Sequence, residues 1–295
     1  MTIANESQAR QRVIELVKHV KAKLAIPSYA VYKGINDPIA EYLGIKIKES
    51  TLPNNADGQY YPLNPPLLTS PMVILNPQIG EQDRLNFTFF HEICHHLIRQ
   101  DDELYSFLNE FASDLSLINT IEKYCNIGAA EFLIPGEDVR AEIDRAGFQI
   151  TLLEHFDQKF PASKPAIAIQ LANYASHKCF VTVSAMGNPP KSNDDFPTFV
   201  TADSPDQRRL YIQYSVSSPS NKYTIARYIP IPRDHLITQA FETQSRTRGK
   251  AIIPLRNQKA WESDCDAFFY KGRVYASFNI SPPAIAAQLQ PHLFD

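Results

Sequence analysis

The chain has 295 residues, 44% of them hydrophobic, and a net charge of −3, enough for one large or two ordinary domains. No apolar run approaches membrane-spanning length, and the opening Met1-Thr2-Ile3-Ala4-Asn5-Glu6 lacks the apolar stretch of a signal peptide. The four cysteines (Cys94, Cys125, Cys179 and Cys265) form no Cys-x-x-Cys pair, which disfavours a disulfide framework and makes a reducing cytoplasm the expected compartment. Charge divides along the chain. Residues 1–177 hold 15 basic and 22 acidic side chains (net −7), and residues 178–295 hold 14 and 10 (net +4). An acidic first part attracts a basic partner more readily than DNA.

The first expected element is an amphipathic helix from Ser7 to Leu24, followed by a helix around Pro38 to Leu43. Ile45 to Lys48 alternates apolar and polar residues like a half-buried strand. Asp57-Gly58 marks a turn, and Gln59 to Leu63 reads as a second strand. A proline-rich stretch then leads into Met72-Val73-Ile74-Leu75. Prolines bracket this strand, which makes residues 71–76 a candidate sheet edge for an extended peptide, with an ordinary core strand as the equal alternative.

From Arg84 to Arg99 apolar residues occupy nearly the whole circumference of a helix, the mark of a buried central helix, with Asp83 as the expected N-cap. Inside it lies His91-Glu92-Ile93-Cys94-His95. Residues four apart stack on one helix face, so both imidazoles can ligate one ion, while Glu92 sits about 100° round from His91, within reach of a water on that ion. Two imidazoles and a carboxylate in an apolar helix are costly unless something satisfies them, and a metal satisfies all three. His96 points off that face and reads as a supporting residue rather than a ligand.

A catalytic zinc takes three protein ligands and keeps one position open. Glu103, Glu110, Asp114, Glu122 and Glu131 are candidates for the third. Leu117 to Pro135 has helical periodicity and many small residues, which permit close helix approach, and it places Glu122 and Asn126 on one face. Glu122 is the chosen third ligand, with Asn126 orienting a ligating histidine. Glu131, about 180° away on that helix, reads as solvated. Cys94 and Cys125 flank the site and read as small packing residues. An oxyanion-stabilising side chain is also expected, from among His96, Tyr60, Tyr61 and Tyr124.

Downstream, helices are expected at Gly136–Arg145, Gln149–Phe160 and Lys164–Ser176, the last two forming a helix-turn-helix-like pair. Between Phe148 and Ala175, Lys159 and Lys164 are cancelled by Glu154 and Asp157, so packing is favoured over DNA reading. From about Lys178 short alternating runs (Phe180–Ser184, Arg209–Tyr214, Lys250–Leu255 and Arg273–Phe278) predict a sheet-based second domain. Arg246, Arg248, Lys250, Arg256 and Lys259 form a basic cluster, read as a solvated loop rather than an anion site.

The helix Phe87-Thr88-Phe89-Phe90-His91-Glu92-Ile93-Cys94-His95-His96, followed by the block from Ile121 through Glu122, Cys125 and Asn126 to Pro135, resembles the ImmA/IrrE family of bacterial metallopeptidases, and its IrrE radiation-response branch in particular. The likeness is strong over about residues 55–140 and looser from the N-terminus to about 178. Gly128 stands where many relatives place an aromatic residue, a departure that concerns helix packing. The resemblance implies an α+β chain: a zincin-like metallopeptidase domain (1–140), a helix-turn-helix-like linker (141–177) and a GAF-like sensory α/β domain (178–295) able to take a small-molecule signal. It implies that His91, His95 and Glu122 hold zinc, with manganese as an alternative in the cell, and that Glu92 is the general base. The implied substrate is an XRE-type helix-turn-helix repressor, cleaved to derepress stress-response or mobile-element genes. The contrasting expectation is a non-catalytic, metal-bound sensor acting through the C-terminal domain.

Overall fold

The computed structural model describes residues 3–26, 29–110, 114–187, 209–221, 223–256 and 261–280. It is a mixed α+β chain that divides into two compact units, residues 1–145 with 153–171, and residues 146–152 with 172–295.

The first unit opens with helix α1 (Glu6–Lys23), whose first turn is capped by the Asn5 side chain accepting from the Gln8 N–H. Its apolar stripe of Ala9, Val13, Val17 and Val20 is buried. Helix α2 spans Tyr32–Leu43 and ends at Gly44, whose φ of 64° supplies the left-handed cap that a side chain would resist. It begins well before the expected Pro38, which lies inside the helix and has no N–H to give to the Gly34 carbonyl. The Asn86 side chain, distant in sequence, takes the Tyr32 N–H and starts the helix there.

Strands β1 (Lys46–Glu49), β2 (Gly58–Tyr61) and β3 (Met72–Leu75) form a three-stranded sheet in the order β1-β3-β2. β3 pairs in parallel with β1 and antiparallel with β2, Tyr60 standing opposite Val73. The expectation that residues 71–76 form an edge is therefore overturned: β3 is the middle strand, its Val73 and Leu75 fully buried, and β2 is an edge. The prolines flank β3 without entering it, so they are compatible with a central position.

Helix α3 (Gln82–Gln100) follows. Its N-cap is Glu81, not the expected Asp83, which lies in the first turn where its charge complements the helix dipole. Phe89, Phe90, Ile93, Cys94 and Ile98 are buried along it. Short α4 (Asp102–Glu110) is capped by the Asp101 carboxylate, which accepts from the Leu104 N–H and also pairs with Arg12. Helix α5 (Asp114–Leu133) packs against α3 and α1, with Gly128 at the contact with both. A Cβ there would run into the Cys94 side chain and come within 3.1 Å of Val13. Helices α6 (Gly136–Ala146), α7 (Leu152–Lys159) and α8 (Lys164–Tyr174) follow, α7 starting three residues later than the expected Gln149. Lys159 pairs with Asp138 and Lys164 with Asp157.

Glu131 corrects another expectation. It is buried, accepting from the Gly136 N–H and the Gln170 side-chain amide, both at 3.1 Å. Later parts of the chain supply the donors that make its burial tolerable.

In the second unit, β4 (Cys179–Gly187), β5 (Arg209–Ser217), β6 (Arg246–Ile252), β7 (Glu262–Tyr270) and β8 (Arg273–Asn279) form an antiparallel sheet in the order β5-β4-β8-β7-β6, with helix α9 (Leu236–Thr243) packed on it. Phe180, Ile212, Ile237, Val274 and Phe278 form the core of that packing. Strand β7 and helix α9 escape the sequence reading, β7 because three acids in nine residues obscure its alternation. Those acids explain three members of the basic cluster, which are strand rather than loop: Arg246 and Arg248 bond Asp266, and Lys250 bonds Asp264, across the β6–β7 ladder, while Arg256 lies in a turn beyond it. Lys259 lies outside the described residues.

Candidate metal centre

Helix α3 presents His91 and His95 one turn apart, and α5 brings Glu122 and Asn126 against them. The His91 and His95 Nε2 atoms are 3.2 Å apart. The Glu122 carboxylate stands 3.0 Å from His91 Nε2 and 3.2 Å from His95 Nε2. Ligands about 2.1 Å from a tetrahedral ion stand about 3.4 Å from one another, so these three donors fit around one metal with small outward shifts. Asn126 Oδ1 lies 3.0 Å from His91 Nδ1. With the amide oxygen facing the ring, Nδ1 carries a hydrogen, so that Nε2, once it sheds its own proton, has a lone pair to offer an ion shared with His95 and Glu122.

The electrostatics follow from the same contacts. The hydrogen bonds from His91 and His95 hold the Glu122 carboxyl far below the usual carboxylate range, although partial burial opposes this. Burial depresses the His91 imidazole, but its bond to Glu122 and the nearby Glu92 charge outweigh that and raise it. Glu92 is raised by burial, partly offset by the two histidines. The Tyr60 main chain faces the Glu92 carboxylate and lowers it slightly. A carboxylate so placed accepts a proton more readily than a solvated one.

A second donor set is present. The Cys125 Sγ and a ring nitrogen from each of His91 and His95 lie within 4.8 Å of one another. Glu122 is the stronger candidate because it touches both Nε2 atoms directly, whereas Cys125 is buried and its thiol is pushed well above its usual range by desolvation. Of the other third-ligand candidates, Glu131 is occupied elsewhere in the core, Glu103 and Glu110 are exposed on α4, and the Asp114 side chain lies outside the described part of the chain.

The four oxyanion candidates separate. Tyr60 and His96 meet at the site, hydroxyl to Nδ1, at 3.1 Å. Tyr61 donates to its neighbour Gln59, and Tyr124 donates to the Glu6 carbonyl, away from the histidines. Gly58 is a residue that sequence reasoning saw only as a turn signal. A Cβ there would stand 2.5 Å from Thr88 Cγ2 and 3.1 Å from Glu92 Cγ, so its missing side chain lets β2 lie against the α3 face that carries Glu92.

Among the described residues no helix is long and apolar enough to cross a membrane. The chain is 28% identical to the radiation response metalloprotease IrrE of Deinococcus radiodurans over 214 residues, 71% of this chain and 63% of the relative, so it spans less than two thirds of that protein's length. It is 27% identical to the radiation response metalloprotease IrrE of Deinococcus deserti over 207 residues, 70% of each chain. A solved Mycobacterium tuberculosis transcriptional regulator shares the fold, with a TM-score of 0.54 at 13% identity over 91% of this chain and 88% of that one. Residues 40–171 match the IrrE N-terminal-like domain of the Peptidase_M78 family. That stretch contains every donor of the α3–α5 cluster, so the cluster lies in the part of the chain that is similar to the IrrE-like metallopeptidases.

Proposed function

We propose that the chain is a zinc-dependent endopeptidase that cleaves an XRE-type helix-turn-helix repressor and so derepresses stress-response or mobile-element genes. The observation that carries the hydrolytic part is the meeting of His91, His95 and Glu122 within 3.0 to 3.2 Å, beside the buried carboxylate of Glu92. In this reading His91, His95 and Glu122 hold zinc in the gluzincin manner, and Asn126 orients His91. Bound there, zinc supplies Lewis acidity to a scissile carbonyl and acidifies a water to a pKa of about 7. Glu92 takes a proton from the attacking water and hands it to the leaving amine. The outer edge of β2, paired on its other side with β3, offers main-chain groups to an extended peptide.

Likeness to IrrE supports a protein substrate, and the acidic first part of the chain favours a basic one. The helix-turn-helix-like linker is read as packing rather than DNA binding, because its lysines are paired with aspartates. The antiparallel sheet with one packed helix supports a GAF-like sensory role for 178–295, and the free, buried cysteines favour a cytoplasmic location.

The test joins metal content to cleavage. Mass spectrometry should find about one zinc per wild-type chain and little in Glu122→Ala, and the zinc-loaded protein should cut one member of a panel of XRE-type repressors while sparing casein. Zinc-free wild type after zinc is supplied, or casein digested as fast as any repressor, would overturn the reading.

A second reading draws on Cys125. Were its thiol a fourth ligand, the site would be closed and structural, and the chain a sensor acting through its C-terminal part. Glu92→Gln separates the two, since a structural site keeps its function in that variant.

A further inference from the structure

Zinc-site hydrolysis places negative charge on the carbonyl oxygen under attack, and a donor already aimed at that position is worth more than one that must be recruited. We propose that the Tyr60 hydroxyl is that donor and that His96 is the positioning residue that holds it, an inference that rests on the peptidase reading above.

Three contacts fix Tyr60. Its main chain faces the Glu92 carboxylate and partly offsets the effect of burial there, so the residue that would carry the oxyanion donor stands beside the residue that would move the proton. Its ring lies parallel to the His95 ring, 3° between planes with centroids 6.5 Å apart. Its hydroxyl is 3.1 Å from His96 Nδ1, and the two rings meet edge-on at 5.7 Å. Tyr60 is only partly covered, so a peptide lying along β2 can reach its hydroxyl, whereas Tyr124 is 1% exposed.

The dyad's chemistry suits the task. A phenol both donates and accepts and keeps its proton at neutral pH. With the hydrogen on His96 Nδ1, the imidazole donates to the phenolic oxygen and leaves the O–H directed at the substrate. No bond is made or broken in this role. His96 is 4% exposed within α3, so packing limits its movement. It sits about 100° round the helix from His95 and is therefore better placed to hold Tyr60 than to ligate.

The test uses two probes on the zinc-loaded full chain. A capped phosphinic tripeptide carries the tetrahedral anion of the reaction, and a mercaptoacyl dipeptide binds metal through sulfur and presents no such oxygen. Tyr60→Phe should weaken the phosphinic probe about 100-fold, leaving the thiol probe within about twofold and the zinc content unchanged. His96→Leu should reproduce that selective loss. His96→Asn, whose amide nitrogen takes the place of Nδ1, should restore most of the affinity. Equal loss of both probes in Tyr60→Phe, or no loss of either, would overturn the assignment. Failure of both probes to bind zinc-loaded wild type would instead refute the peptidase reading and take this inference with it.

Discussion

Asp266 on β7 and Glu92 on α3 are both buried carboxylates, but their surroundings differ in kind. Asp266 is gripped by the Arg246 guanidinium at 2.6 and 2.8 Å, approached by Arg248, and accepts the Ile150 N–H. Glu92 has the Tyr60 main chain and, nearby, two imidazoles whose charge only partly offsets its burial. Burial raises the Asp266 carboxyl too, but its oxygens are taken up by fixed donors, which hold the carboxylate and its neighbours in place. A desolvated one with modest support has oxygens left for a proton, which is what a general base requires. Burial alone therefore says little about function, and the partner inventory decides.

The sharpest way to break this contrast is to remove the charge from each carboxylate. Glu92→Gln should lower peptide turnover about 1,000-fold with zinc content intact. Asp266→Asn should leave turnover per folded molecule unchanged and cost about 2 kcal/mol in denaturant unfolding, because two arginines lose their acceptor. If Asp266→Asn silenced turnover as Glu92→Gln does, the contrast would collapse.

The next effect tests the support of the proposed metal ligands. Asn126→Ala should weaken zinc binding about 10-fold, read by competition with a chelator. The same assay has a predicted pH dependence. The His91 imidazole is raised in the metal-free protein and must shed its proton to ligate. Zinc affinity should accordingly rise as pH climbs through the range just above the ordinary histidine value, and a pH-independent affinity would contradict the ligand assignment.

Gly128→Ala probes the surface on which the site is assembled. Its new Cβ meets Cys94 and Val13, so a loss of about 1 to 3 kcal/mol is expected on thermal or denaturant unfolding. The smallest effect belongs to the exposed partner of Asp266: Arg248→Ala should change stability by less than about 1 kcal/mol, since Arg246 makes the closer bonds.

What could be read from the chain alone was local. The i, i+4 spacing of His91 and His95, the buried character of their helix, the strand at Met72–Leu75 and the helix carrying Glu122 and Asn126 all follow from short-range periodicity. Their failures were local rules overruled from a distance. Helix α2 starts at Tyr32 because Asn86 takes its N–H, and β3 is central because β1 and β2 pair with it on either side.

Only the tertiary structure could bring Glu122 to both histidines, separate Tyr60 from Tyr61 and Tyr124, bury Glu131 under Gln170 and match β6 arginines to a β7 aspartate. The physical reason is one of range. Helical and strand periods fix which way a side chain faces within its own element, whereas strand order, helix-to-helix approach and the supply of hydrogen-bond donors to a buried acid depend on residues tens to more than a hundred positions apart.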